Sequence, residues 1–191
     1  MLWDMHIESI LGKLSRVVGM MVRLRPLLPY RIKVLVYNTL FFSTLYYCLL
    51  VWGTTSRMNL EKIHILQKKF LRVLFNMPYN AHTSDLFPKA NIIPVFNLYH
   101  YKLSQAFKRE VKENLQFLHE LSNLTRNTHS YITRCTEQWK VVTPRANYST
   151  QKISYTLRTL LNLFLKSSLD IYLTDVRALR QHFVTQSFLN N

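Results

Sequence analysis

The residues able to do chemistry in this chain are few and scattered. Its ten acids, among them Asp4, Glu8, Glu61, Asp85, Glu110 and Glu113, include no adjacent pair of the kind that gathers two cations for phosphoryl transfer. The seven histidines never form the pair four apart on a helix that binds catalytic zinc. Cys48 and Cys135 stand too far apart for a zinc pair or a disulfide framework, which fits a reducing compartment. Gly12, Gly19 and Gly53 are too dispersed to build a phosphate-cradling loop. A Ser or Cys nucleophile assembled by folding stays open, although no local motif suggests one. No cofactor, metal or small-molecule substrate is expected.

Basic side chains supply the remaining chemistry, the neutralisation of phosphate. Lys68, Lys69 and Arg72 form one cluster, and Arg16, Arg23, Arg25, Arg31 and Lys33 form another across a proline turn. Any single lysine reads equally well as part of a solvated helical face. The chain, however, has 25 Lys and Arg against 10 Asp and Glu, a net charge of +15, and no acid between Ser9 and Leu60. Residues 1–109 hold 15 basic and 4 acidic side chains, a net of +11, while 110–191 hold 10 and 6, a net of +4. A polyanion would meet the first half, and the candidate phosphate contacts are Arg16, Arg23, Lys62, Lys68, Lys69 and Arg72. The clustered tyrosines, Tyr46 and Tyr47 among them, read as core or interface before they read as base-stacking platforms.

These side chains need elements to carry them. With 191 residues and 48% apolar composition, the chain is long enough for one core and too apolar for a disordered tail. Asp4 reads as an N-cap, followed by Ile7, Ile10, Leu14, Val18 and Met21 on one helical face, and Pro26 and Pro29 end that helix. A second helix is expected from Arg31 to Trp52, with Tyr47 and Trp52 in the core and Gly53 as its stop. A third carries Leu60, Ile63, Phe70 and Leu74 and closes at Pro78. A short turn follows near Ser84–Phe87, and Pro94 opens a fourth helix that continues through Leu115, Leu118 and Leu121. From Asn123 to Ser154 the periodicity lapses, with two short strands read at 139–143 and 152–156, before helices near Leu157–Lys166 and Asp175–Leu189. The expectation is a mainly α fold, a helical bundle over residues 4–122 with a looser region of loops, short strands and two helices over 123–191.

The words along the chain also resemble a known family. Trp3-Asp4-Met5-His6-Ile7, Lys13-Leu14-Ser15-Arg16, Arg23-Leu24-Arg25, Tyr37-Asn38-Thr39-Leu40, Tyr46-Tyr47-Cys48 and Val51-Trp52-Gly53 resemble the region after the palm in reverse transcriptases of non-LTR, LINE-type retrotransposons, jockey-like arthropod elements in particular. The similarity continues through Gln67-Lys68-Lys69-Phe70-Leu71-Arg72, His82-Thr83 and Leu86-Phe87, and into Tyr131-Ile132-Thr133-Arg134 and Pro144-Arg145-Ala146-Asn147-Tyr148. Ser149 stands where the family usually has glycine, and Arg158-Thr159 where a proline is common. The resemblance implies a thumb and C-terminal segment of an RNA-directed DNA polymerase. The catalytic carboxylates of such an enzyme lie in a palm upstream of these words, so the resemblance implies no catalysis by this chain itself. It further implies an RNA/DNA template-primer duplex as partner, held by its backbone, and the palm as the neighbouring domain.

Two other readings compete. Val34–Trp52 holds nineteen uncharged residues, near the minimum for a membrane span, although Asn38, Thr39, Ser43 and Thr44 interrupt it and a buried bundle helix has the same signature. The chain could also be a structural or interaction remnant with no nucleic-acid role. The start lacks a basic segment followed by an apolar run, so an intracellular location, nucleus or cytoplasm, is expected in place of secretion.

Overall fold

A computed structural model of the chain describes residues 3–125, 139–140, 153–167 and 170–185. The fold is mainly α, a bundle of helices, and no strand forms among the described residues. Two compact units are present, Met1–Tyr99 with Gln181–Asn191, and His100–Arg180. The division expected at residue 122 falls inside the second.

In the first unit, α1 (Asp4–Arg23) and α5 (Arg57–Leu74) lie side by side. Each presents one apolar stripe, Ile7, Ile10, Leu14, Val18 and Met21 on α1 and Ile63, Phe70, Leu71 and Leu74 on α5, and these stripes are buried. Side-chain amides fix the pairing at both ends. Asn59 Nδ2 donates to Asp4 Oδ1 at 2.9 Å, and Arg25 Nε donates to Asn76 Oδ1 at 3.4 Å. Start meets start and end meets end, so the two helices run parallel. Asp4 is therefore the first helical residue and not the N-cap, which is Trp3 and makes no side-chain bond. Ser56 is a true cap, its hydroxyl accepting from Asn59 N.

The helix expected from Arg31 to Trp52 does not form as one element. The segment forms α2 (Tyr30–Val36), a π-helical segment (Tyr37–Phe42), α3 (Ser43–Tyr46) and α4 (Leu49–Trp52). The polar residues that interrupt it act on the backbone. Thr39 Oγ1 donates to Leu35 O at 2.9 Å, Thr44 Oγ1 to Leu40 O at 2.7 Å, and Ser43 Oγ to Thr39 O, each competing for an i−4 carbonyl and loosening the α ladder. The chain then breaks outright, with Tyr47 extended and Cys48 left-handed at φ 47°. Trp52 is buried and its indole N–H donates to Tyr47 O at 2.8 Å, so it satisfies the carbonyl that the break frees. The break turns the Tyr47 ring outward, 72% exposed, which corrects its expected place in the core. Among the described residues no helix is long and apolar enough to cross a membrane.

Gly53 ends α4 at a point of close approach. A Cβ there would lie 2.5 Å from Leu49 O and 2.7 Å from Tyr99 Cδ2. Gly53→Ala is expected to cost about 1–3 kcal/mol of stability by overpacking, measured by denaturant unfolding. An unchanged midpoint would show that the Leu49 carbonyl and the Tyr99 ring both give way freely.

Gln67 knits the first unit together. It is fully buried; its Nε2 donates to Tyr37 Oη and Ile93 O, both at 2.9 Å, and its Oε1 accepts from Val95 N at 3.0 Å. The last bond closes an open donor at the start of α7 (Val95–Lys112), the helix opened by Pro94. Between α5 and α7 lies the short α6 (Leu86–Ala90).

In the second unit, α8 (Phe117–Ser122) is a separate element, since the chain leaves the helix after Lys112 and Asn114 is left-handed. Buried side chains of opposite charge hold its two ends. Glu110 Oε2 and Oε1 accept from Leu118 N at 2.6 Å and His119 N at 3.0 Å, while Arg158 donates to Ser122 O at 3.0 Å, Lys140 O at 2.8 Å and Asn123 O. Arg158 is thus a structural clamp. It sits on α9 (Ile153–Lys166), so the strand expected at 152–156 is helical over its described residues 153–156. Trp139 exchanges two backbone bonds with the Asn162 amide instead of joining a strand, and residues 141–143 of the other expected strand lie outside the described residues. Last comes α10 (Val176–Thr185).

Candidate nucleic-acid interface

The parallel pairing of α1 and α5 leaves a groove of about 480 Å³ along their solvent side. Positions 15, 18, 19 and 22 of α1 face positions 66, 69, 72 and 73 of α5, so the i, i+3, i+4 rows of two helices form its walls. Val18, Val22, Leu66 and Val73 make an apolar floor, and Arg25, Lys69 and Arg72 line it with positive charge. A neighbouring depression shares Ser15 and Gly19 and adds Arg16 and Arg23.

Four of the six anticipated phosphate contacts therefore converge, Arg16 and Arg23 from α1, Lys69 and Arg72 from α5. The other two do not line either depression. Lys62 is exposed one turn or more before the groove, and Lys68 lies one position round the helix, on the side of His64, whose pKa its charge helps to lower. Sequence alone could not separate Lys68 from Lys69, because adjacent helical residues point about 100° apart and the groove side is known only once α1 is placed.

The groove cations are held by neutral groups. Arg72 Nε donates to Ala81 O at 2.9 Å, and its guanidinium lies 5.8 Å from the Tyr79 ring centre, where a cation–π attraction operates. Arg25 shares Asn76 Oδ1 with Lys33, whose Nζ donates to it at 2.7 Å and to Val73 O at 3.4 Å. Lys33 is buried, which corrects its place in the surface cluster: it caps the C-terminus of α5. Burial, then the Arg25 charge, push its pKa below the usual lysine value.

A magnitude decides whether the fold itself neutralises this charge. Two parallel helices bring their C-termini together, contributing about one negative charge in total. Against it stand Arg23, Arg25, Lys33, Lys69 and Arg72, and none of these five is ion-paired to a carboxylate among the described residues. The excess is positive, and an anion would relieve it.

Away from the groove, His64 stacks on Phe87 with ring centres 5.5 Å apart and tilts against Phe96 at 4.9 Å. Burial, reinforced by Lys68, lowers its pKa from 6.5 to about 4. The folded state binds this proton more weakly than the unfolded one, so the neutral form's stability is intact above about pH 6.5 and is lost as pH falls toward 4, on the order of 3 kcal/mol. A urea-unfolding series across that window should show the slope, and His64→Phe should reduce it. It should not vanish, because burial lowers the pKa of His182 as well. A slope identical in His64→Phe would reject the assignment.

Among the described residues no three His, Cys, Asp or Glu side chains come together as a metal site requires. No protein-family model, no curated protein and no solved structure matches this chain.

Proposed function

We propose that this chain is a nucleic-acid-holding, thumb-like segment of a retrotransposon RNA-directed DNA polymerase. It grips an RNA/DNA template-primer duplex through backbone phosphates and performs no catalysis itself, the metal-binding carboxylates belonging to the palm of such an enzyme. The single observation that carries this reading is the uncompensated cluster Arg16, Arg23, Arg25, Lys69 and Arg72 along paired α1 and α5. The order of words from Trp3 to Arg72 supports the polymerase assignment through resemblance. Parallel helices with cations on one face suit a duplex backbone, which is read by charge and shape and not by base edges.

Fluorescence anisotropy with a labelled RNA/DNA heteroduplex, single-stranded RNA and duplex DNA over a salt series tests it. Saturable binding that favours the heteroduplex is the expected result. Binding indifferent to nucleic-acid form and gone at moderate salt would overturn it, leaving the +15 charge as a nonspecific attractor.

A further inference from the structure

The groove is better furnished than phosphate contact alone requires. Duplex phosphates need cations on an open face, whereas here cations rim an apolar trough of about 480 Å³, a volume within the range of small-ligand sites. Val18, Val22, Leu66 and Val73 have no phosphate to meet. At one end Tyr79 is 77% exposed, with its ring beside the Arg72 guanidinium. Two planar groups at the mouth of an apolar trough suit a flat aromatic ring, which can stack on either. The trough has open space above Gly19, where a Cβ added to the backbone meets no atom within 4 Å, so a larger side chain at this position would enter it.

We propose that this groove receives one unpaired nucleotide, the base on the apolar floor near Tyr79 and the phosphate among Arg25, Lys69 and Arg72. The cations are placed for the task in advance. Arg72 is tied to Ala81 O and Arg25 to Asn76, so neither needs to be ordered when the anion arrives. A bound phosphate also adds the negative charge that Arg25 and buried Lys33 lack. The ligand class is thus a nucleoside monophosphate unit at a strand end or lifted from a strand. The inference rests on reading this face as a nucleic-acid surface, and it makes that surface two-part, a backbone rail beside a nucleotide slot.

Calorimetric titration of the full chain with AMP, adenosine and inorganic phosphate tests the slot. AMP should bind about tenfold more tightly than either half alone, since only AMP uses floor and rim together. Gly19→Leu fills the trough without removing a charge, and being on the solvent side of α1 it raises helix propensity and should not harm folding. It should abolish the advantage of AMP over adenosine and inorganic phosphate, and Lys69→Gln should weaken both AMP and phosphate. AMP binding no tighter than phosphate, or unchanged in Gly19→Leu, overturns the slot. If the parent chain binds heteroduplex but not AMP, the slot fails and the duplex reading stands. If it binds AMP in the trough but no heteroduplex, the slot stands and the duplex reading fails.

Discussion

Replacing Arg16, Arg23 and Lys69 together with glutamine is expected to lower affinity for an RNA/DNA heteroduplex on the order of a hundredfold near 0.1 M salt, and to flatten the salt dependence by about 2 to 3 in log–log slope. Each phosphate neutralised releases roughly one counterion, so three lost contacts remove about three released ions. These three residues line the paired depressions; Arg16 Nε donates to Gly12 O at 3.3 Å within its own exposed helix, and none of the three makes a tie between distant segments like those of Arg72 to Ala81 O and Lys33 to Val73 O. Their loss should therefore leave the unfolding midpoint nearly in place. The matching control is Lys62 and Lys68 to glutamine, which lie outside the groove and should change the slope far less. Equal effects from the two sets would mean that the phosphates follow charge density and ignore the groove.

Trp52→Ala is expected to destabilise the first unit by about 3–5 kcal/mol. The indole is only 1% exposed, so truncation leaves a large cavity next to His6, whose ring centre lies 6.1 Å away. It also removes the indole hydrogen bond to Tyr47 O, at the point where the backbone breaks. Trp52→Phe keeps most of the volume and loses the bond, so it should cost less, about 1–2 kcal/mol. A near-zero effect in Trp52→Ala by denaturant unfolding would show that α4 contributes little to the folding of this unit.

Much of the fold was legible because helix formation is local. The stripe Ile7, Ile10, Leu14, Val18 and Met21 repeats at three and four residues, which is the helix period itself, and all five are buried as that period requires. Pro29 and Pro94 precede helices, and Pro26 and Pro78 follow them, because a missing N–H and a fixed φ act on adjacent residues whatever the tertiary context. The uncharged run Val34–Trp52 was harder. Hydrophobicity alone reads it as one long helix, whereas the outcome turned on Thr39, Ser43 and Thr44 bonding back to carbonyls and on Trp52 capturing Tyr47 O. Pattern and length do not encode that competition.

The sequence by itself determined the helical class, the positive first half and the acid-free interval from Ser9 to Leu60, since these follow from residue types and local spacing. Only the tertiary structure decided which cations act together. Lys33 reaches Asn76 across 43 positions, and that partnership buries it, while Arg25 in the same sequence cluster stays at the groove. Lys68 and Lys69 are neighbours in sequence and only Lys69 lines the groove, because the parallel docking of α1 against α5 chooses one side of the helix. Periodicity says that a helix has faces. Which face meets a partner depends on contacts between residues some fifty positions apart, and those form only when the chain has folded.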